Sequence, residues 1–306
     1  MKSARIYRHG DASVIRYDEV ETPEPGPDEV LIEIAATSFN PTETALRAGL
    51  LREITPVSMP YILGWDVAGV VVAAGAQVST TRVADRVIGW LDGGAAAQYV
   101  TAAAGLLAPA PTTIPLADAA TLPLAGLTAW QSVFDHARVV EGQRVLVNGA
   151  GGGIGGFTVQ LAKHAGAHVI ATAGPHSADR VRRQGADQII DYTTMTFGDA
   201  VDRPVDTILN LVPVDLAQTE DLISLVRPGG TIVSITTQIQ PPPDARISAT
   251  HFVTRKNTTQ LAALANLVDM GVVTVEVAQS YPLTSLDYVH RLSESGGLHG
   301  KTTIVP

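Results

Sequence analysis

The stretch Val145-Leu146-Val147-Asn148-Gly149-Ala150-Gly151-Gly152-Gly153-Ile154-Gly155-Gly156 decides the fold of this chain. The apolar triplet Val145–Val147 has the length of a buried parallel strand and breaks into a glycine cluster. Phe157, Val159, Leu161 and Ala162 then set up a helical pattern that ends near Gly166. Strand, glycine turn and helix, in that order, are the context a dinucleotide fingerprint requires. The glycines let the backbone approach a pyrophosphate closely. The helix N-terminus then aims unpaired N–H groups and a partial positive charge at it. Two registers fit: Gly151-x-Gly153-x-x-Gly156 has the full pattern, and Ala150-x-Gly152-x-x-Gly155 begins with alanine.

Downstream of this stretch, strands and helices alternate. Val145–Val147, Val169–Thr172, Gln188–Ile190, Thr207–Leu211 and Thr231–Ile235 read as strands, with helices around Phe157–His164, Asp179–Gln184 and Leu216–Val226. That alternation predicts an α/β doubly wound parallel sheet. Ile247–Thr254 reads as one more strand, and Leu261, Leu264, Leu267 and Val268 give Gln260–Met270 an amphipathic helical spacing. The tail closes on a strand-like Thr302–Val305.

Upstream, residues 1 to about 115 read as short strands and turns. Ile6-Tyr7 and Val14–Tyr17 flank Gly10-Asp11 as a hairpin, and Val30–Ile34, Val67–Ala73, Arg86–Gly89 and Gln98–Thr101 are further strands. Asn40-Pro41-Thr42-Glu43 reads as a helix cap with proline in the first turn, and that short helix ends at Ala48-Gly49. The pattern predicts a folded-over, barrel-like β domain. Leu116–Leu127 is helical but interrupted by Pro123, and helix resumes through Val133.

A chain of 306 residues has room for two domains. Hydrophobic residues make up 45%, charged residues 17%, and the net charge of −9 is spread through the chain. Neither a nucleic-acid surface nor a polybasic membrane patch is expected, because each needs clustered Lys and Arg. No apolar run approaches the ~20 residues of a membrane span. The first residues, Met1–Tyr7, lack the apolar core of a signal peptide, which points to a cytoplasmic protein. Cysteine is absent, so disulfides, thiolate nucleophiles and sulfur-bound zinc are all excluded. The eight histidines are scattered, and His164 and His168 lie on either side of Gly166. No metal site is expected.

Taken in order, several motifs resemble the medium-chain dehydrogenase/reductase superfamily, in its zinc-independent quinone oxidoreductase (zeta-crystallin-like) branch. They are Ser38-Phe39-Asn40-Pro41, Pro60–Val71, Leu122–Trp130, the glycine run, Gly185-Ala186-Asp187 with Ile189–Tyr192, Arg227-Pro228-Gly229-Gly230 and Gly300-Lys301. The resemblance covers nearly the whole chain. It implies a GroES-like, β-rich catalytic domain made of residues 1–117 and 255–306, with a Rossmann domain of residues 118–254 inserted and the substrate in the cleft between. It places the fingerprint on Ala150, Gly152, Gly153, Ile154 and Gly155. Zinc relatives carry a Cys near Asn40, Gly-His-Glu in place of Gly64-Trp65-Asp66, and a four-cysteine lobe after Gly89. All of those ligands are missing here.

The expected coenzyme is NADPH. An NAD site places an acid at the end of the second strand; here Val169–Ala173 runs into Gly174-Pro175-His176-Ser177, with no carboxylate before Asp179. Ser177 and Arg180 are placed to donate to a 2′-phosphate, His176, Arg182 and Arg183 being further donors, and Tyr192 matches a family position beside the adenosine end. For any one of these arginines a solvated helix face is an equal reading. Thr128, Asn210-Leu211-Val212 and Ser234-Ile235 fall at the nicotinamide end by the same resemblance. Most relatives have an acid where Asn210 stands. Thr128 has a second reading, as a helix residue bonded to its own backbone.

With no metal expected, oxyanion stabilisation falls to hydrogen-bond donors, and Asn40 is the family's position for one. Its other reading is the N-cap of the helix at Pro41; a cap made through its oxygen leaves the NH2 for a substrate carbonyl. A Tyr-x-Arg-x-Gly pattern of many relatives reads Ala45-Leu46-Arg47-Ala48-Gly49 here, so Ala45 enlarges the pocket. Trp65 is expected to shape its entrance, and Asp66 to be a structural acceptor. The chain therefore reads as an NADPH-dependent reductase of a quinone or conjugated carbonyl compound. The alternatives are an enoyl or alkenal double-bond reductase of a biosynthetic pathway, and a non-catalytic NADPH-binding protein. By resemblance it is a homodimer joined through the edge strand at Ile247–Thr254.

Overall fold

The computed structural model describes residues 1–306 as two compact units. Unit 1 comprises Met1–Leu124, Lys256–Gly271 and Val275–Pro306; unit 2 comprises Ala125–Arg255 and Val272–Thr274.

Unit 1 begins with β1 (Lys2–Ile6), β2 (Ile15–Glu19), β3 (Glu29–Phe39), α1 (Pro41–Ala48), β4 (Tyr61–Ile62), β5 (Asp66–Ala74), β6 (Arg86–Trp90), β7 (Tyr99–Ala103), β8 (Leu107–Pro109) and α2 (Leu116–Ala119). From α3 (Pro123–Trp130) the chain passes into unit 2. There follow β9 (Arg144–Asn148), α4 (Gly153–His164), β10 (His168–Thr172), α5 (Pro175–Arg183), β11 (Gln188–Ile190), α6 (Phe197–Ala200), β12 (Val205–Asn210), α7 (Leu216–Leu225), β13 (Val226–Ser234) and β14 (Ser248–His251). It ends with α8 (Thr258–Asp269), β15 (Val277–Pro282), α9 (Leu286–Glu294) and β16 (Lys301–Val305).

In unit 1, β1 pairs with β2 and β4, and a seven-stranded sheet runs β15-β16-β3-β5-β6-β8 with β7 also on β3. The long β3 organises it. Val30, Ile32, Ile34 and Ala36 alternate inward and are buried, the period-two pattern of a half-buried strand. β3 pairs with β5 along most of its length, with β7 near its start and with β16 at its end. That last pairing ties the C-terminus to the residues just before Asn40. The expected boundary at residues 117/118 moves to Leu124/Ala125, because α2 packs on β3 and β5. Val272–Thr274 joins unit 2 because Gln160 on α4 bonds Thr274 through both ends of its amide, at 3.1 and 2.7 Å.

In unit 2, six parallel strands run β11-β10-β9-β12-β13-β14. Val145, Leu146 and Val147 have no exposed surface, as a strand covered on both faces requires. Leu146, Ile170, Ile190, Ile208 and Ile232 form the core against α7. The strand order reverses between β9 and β12, and ligands of open α/β sheets bind beyond the carboxyl ends at such a point. The predicted edge strand is real but shorter than the pattern suggested, Ser248–His251. No helix is long and apolar enough to cross a membrane.

Candidate functional site

In unit 2, β9 delivers the chain into the glycine turn at the carboxyl end of the sheet. Gly149 takes φ +91°, a conformation open to glycine, and a Cβ there would lie 2.5 Å from Val212 Cγ1. Gly155 is the glycine that lets α4 sit close: its Cβ would fall 2.3 Å from the Gly149 carbonyl oxygen and 2.5 Å from Ala150 Cα. Gly152, by contrast, is exposed and has only the Gly149 oxygen within 3.4 Å. The close-packed position thus falls at the last residue of Ala150-x-Gly152-x-x-Gly155. Gly152 caps α4 with no side-chain hydrogen bond, leaving Gly153 and Ile154 at an open helix N-terminus.

The end of β10 brings four more expected residues together. Gly174 caps α5, and Ser177 Oγ donates to its carbonyl at 3.2 Å. The Tyr192 hydroxyl lies 3.2 Å from where a Gly174 Cβ would be. Arg180 reaches back to donate to the Gly151 carbonyl at 2.6 Å. Asp179 is turned to the surface, paired with Arg182 at 2.7 Å. Arg180 is therefore more than a solvated helix face: it joins the first turn of the sheet to the second.

At the ends of β12 and β13, Asn210 and Ser234 are buried, Leu211 is nearly so, and Val212 and Ile235 are half-buried. Asn210 Nδ2 donates to the Val212 carbonyl at 2.9 Å and to Ser234 Oγ at 3.1 Å. Thr128, buried on α3, lies with its hydroxyl 2.8 Å from that of Thr254. The Ser132 hydroxyl in turn donates to the Thr128 carbonyl at 2.7 Å.

In unit 1, Asn40 stands between β3 and α1, but its side chain does not cap the helix. The Glu43 carboxylate accepts from the Asn40 N–H at 3.2 Å and from the Gly64 N–H at 3.1 Å. The Asn40 amide faces two charged groups instead. Its Oδ1 accepts from Lys301 Nζ at 3.0 Å, and its Nδ2 donates to Asp66 Oδ2 at 2.9 Å and the Ser38 carbonyl at 3.2 Å. The free NH2 expected from a cap through the oxygen is not there, because both amide protons have acceptors within unit 1. The other Asp66 oxygen accepts from the Leu124 N–H at 2.9 Å, so Asp66 is the structural acceptor it was expected to be. Trp65 lies in the core beside Phe39 and Leu63 and donates to the Tyr61 hydroxyl at 3.1 Å. Ala45 is half-buried on α1.

Four polar groups of this cluster, Asn40, Glu43, Asp66 and Lys301, are all buried. Burial pushes the Glu43 carboxyl up to about 8, with the nearby Asp66 charge adding to it, while the backbone N–H bonds and Lys301 oppose. Burial raises Asp66 and lowers Lys301, and their mutual attraction across 3.8 Å counters both shifts. Neither Glu43 nor Lys301 was assigned a role by motif. The spacing of Asn40 and Glu43 does carry a capping-box signal; nothing local reveals that Lys301 faces Asn40.

Two family models match: an alcohol dehydrogenase GroES-like domain over residues 26–112 and a zinc-binding dehydrogenase over residues 184–304. A 2-methylene-furan-3-one reductase of Solanum lycopersicum is 32% identical over 320 residues, covering 100% of this chain and 79% of its own. A chloroplastic quinone-oxidoreductase homolog of Spinacia oleracea is 38% identical over 193 residues, which is 60% of this chain and 59% of that one. The Escherichia coli quinone oxidoreductase complexed with NADPH superposes with a TM-score of 0.88 at 25% identity, covering 100% of both chains. The zinc in one family description finds no ligand set here: no group of three or more His, Cys, Asp or Glu side chains is placed to hold a metal.

Proposed function

The chain belongs to the medium-chain dehydrogenase/reductase superfamily, in its quinone oxidoreductase branch, and from that premise we propose that it is an NADPH-dependent reductase of quinones or conjugated enones. One observation carries the coenzyme reading. The end of β10 presents Gly174, Ser177, Arg180 and Tyr192, while the Asp179 carboxylate of α5 is turned to the surface and paired with Arg182, which suits a 2′-phosphate and not a bare ribose pair. The E. coli relative bound to NADPH has the same fold over its whole length. NADPH, when bound, supplies the hydride.

The chain's part is to hold and align. The open N-terminus of α4, at Gly152, Gly153 and Ile154, takes the pyrophosphate; Gly155 lets that helix approach. Thr128, Leu211, Val212, Ser234 and Ile235 border the nicotinamide end, beyond the carboxyl ends of the strands. Asn40 we assign to the frame of unit 1 rather than to the substrate oxygen, since Lys301 and Asp66 hold its amide in one orientation. The enone reading draws support from the tomato relative, a furanone reductase by name, which matches the chain from end to end. Both acceptors take hydride at an electron-poor carbon conjugated to a carbonyl.

The test is NADPH oxidation followed at 340 nm with a small 1,4-quinone and an α,β-unsaturated ketone as paired acceptors, NADH serving as control. Turnover with at least one acceptor, faster with NADPH than with NADH, is expected. The acceptor with the higher kcat/KM decides between quinone and enone. NADPH binding without turnover on either would replace this reading with a non-catalytic one.

A further inference from the structure

The register of the unit 2 sheet sets four buried polar side chains in one row. Asn148 on β9 lies opposite Asn210 on β12, which lies opposite Ser234 on β13, and Thr172 ends β10 on the other side. They form one hydrogen-bonded relay. The Gly149 N–H donates to Thr172 Oγ1 at 2.8 Å, and that hydroxyl donates to Asn148 Oδ1 at 3.0 Å. Asn148 Nδ2 donates to Asn210 Oδ1 at 2.8 Å, and Asn210 Nδ2 donates to the Val212 carbonyl at 2.9 Å.

Both ends of this relay are backbone groups with fixed roles. A backbone N–H can only donate, so Thr172 must accept from Gly149 and pass its own proton on. A carbonyl can only accept, so Asn210 must turn its NH2 to Val212. The amide orientations are thereby set from both directions. A carboxylate at position 210 would accept from Asn148 as well as the amide does. It would then turn its other oxygen on the Val212 carbonyl, leaving two acceptors face to face in a buried place. Val212 itself packs over Gly149, 2.5 Å from where a Cβ would stand.

We infer that Asn210 is a positioning residue that fixes the backbone at Val212, and with it the nicotinamide half of the coenzyme site, relative to the glycine turn. This rests on the reading of unit 2 as an NADPH site. Two probes separate the halves of that site: NADPH, and adenosine 2′,5′-bisphosphate, which lacks the nicotinamide. Both are titrated calorimetrically against the unsubstituted protein, Asn210→Asp and Thr236→Val. Thr236 is exposed and donates to the same Val212 carbonyl at 2.7 Å, so its loss leaves the core intact. Asn210→Asp is expected to weaken NADPH about tenfold or more, the equivalent of one buried hydrogen bond turned repulsive. Thr236→Val is expected to weaken it about threefold, as loss of one exposed bond does. The bisphosphate should bind all three proteins alike. Equal loss of both probes, or no loss of NADPH in Thr236→Val, overturns the inference while leaving the coenzyme reading intact. If the unsubstituted protein binds neither probe, the reading and the inference fall together.

Discussion

Glu43 shows how a single residue records its surroundings in a measurable pH dependence. Its carboxylate receives two backbone N–H groups, yet it lies wholly inside unit 1 beside Asp66, and burial lifts it from 4.5 to about 8. Between those values the folded chain keeps a proton that the unfolded chain has released. Stability therefore falls as pH rises through this window, by up to about 1.4 kcal/mol per pH unit for one proton, and is flat on either side. Asp66 shifts in the same direction, whereas Lys301, lowered by burial, acts with the opposite sign, because its folded form gives up its proton before the unfolded form does. Urea unfolding at several pH values should show this decline, and Glu43→Gln should flatten it. The substitution should also lower stability near pH 5, because an amide NH2 must then face one of the two N–H donors. An unchanged slope in Glu43→Gln would assign the titration to Asp66 instead.

At the scale of elements, strand, turn and helix at Val145–His164 were legible because every cue is local: an apolar triplet, glycines, then helical spacing. Their division of labour was not. The two candidate registers differ only in which glycine is pressed against the turn, and that depends on how α4 lies on β9. With Gly155 hard against the Gly149 oxygen and Gly152 open, alanine is expected to behave oppositely at the two sites. Gly155→Ala should destabilise by about 1–3 kcal/mol, the range for overpacking a tight contact, and Gly152→Ala should alter the thermal midpoint little. Equal losses at both positions would mean that the turn, and not one contact, is intolerant. The buried partners of Asn40 were hidden for the same physical reason as the register. Lys301 is 261 residues away in sequence, and only the pairing of β16 with β3 sets it beside the amide. Likewise the row of Thr172, Asn148, Asn210 and Ser234 needs the register of four strands. A strand such as β15, whose residues are mostly exposed, lacks the alternation by which β3 announces itself.

For the whole molecule, the net charge of −9 sets a condition on any site for an anionic coenzyme. The far field opposes such a coenzyme, so in the site proposed above its binding would come from groups in contact, the α4 N-terminus and the guanidinium of Arg180. A ligand that binds only the folded chain raises stability by about 2.7 kcal/mol at a concentration a hundred times its Kd. At equal total concentration, NADPH should therefore protect more than NADH in thermal unfolding, the difference measuring the 2′-phosphate contact. Arg180→Ala should close that gap by lowering NADPH protection toward the NADH level, which itself should hardly move. The opposite result is equally readable. Arg180 also ties the Gly151 carbonyl to α5, and were this its main role, the variant would lower protection by both coenzymes together and leave the gap between them open. Preference for the phosphate would then have to reside in Ser177, Tyr192 and the backbone at Gly174.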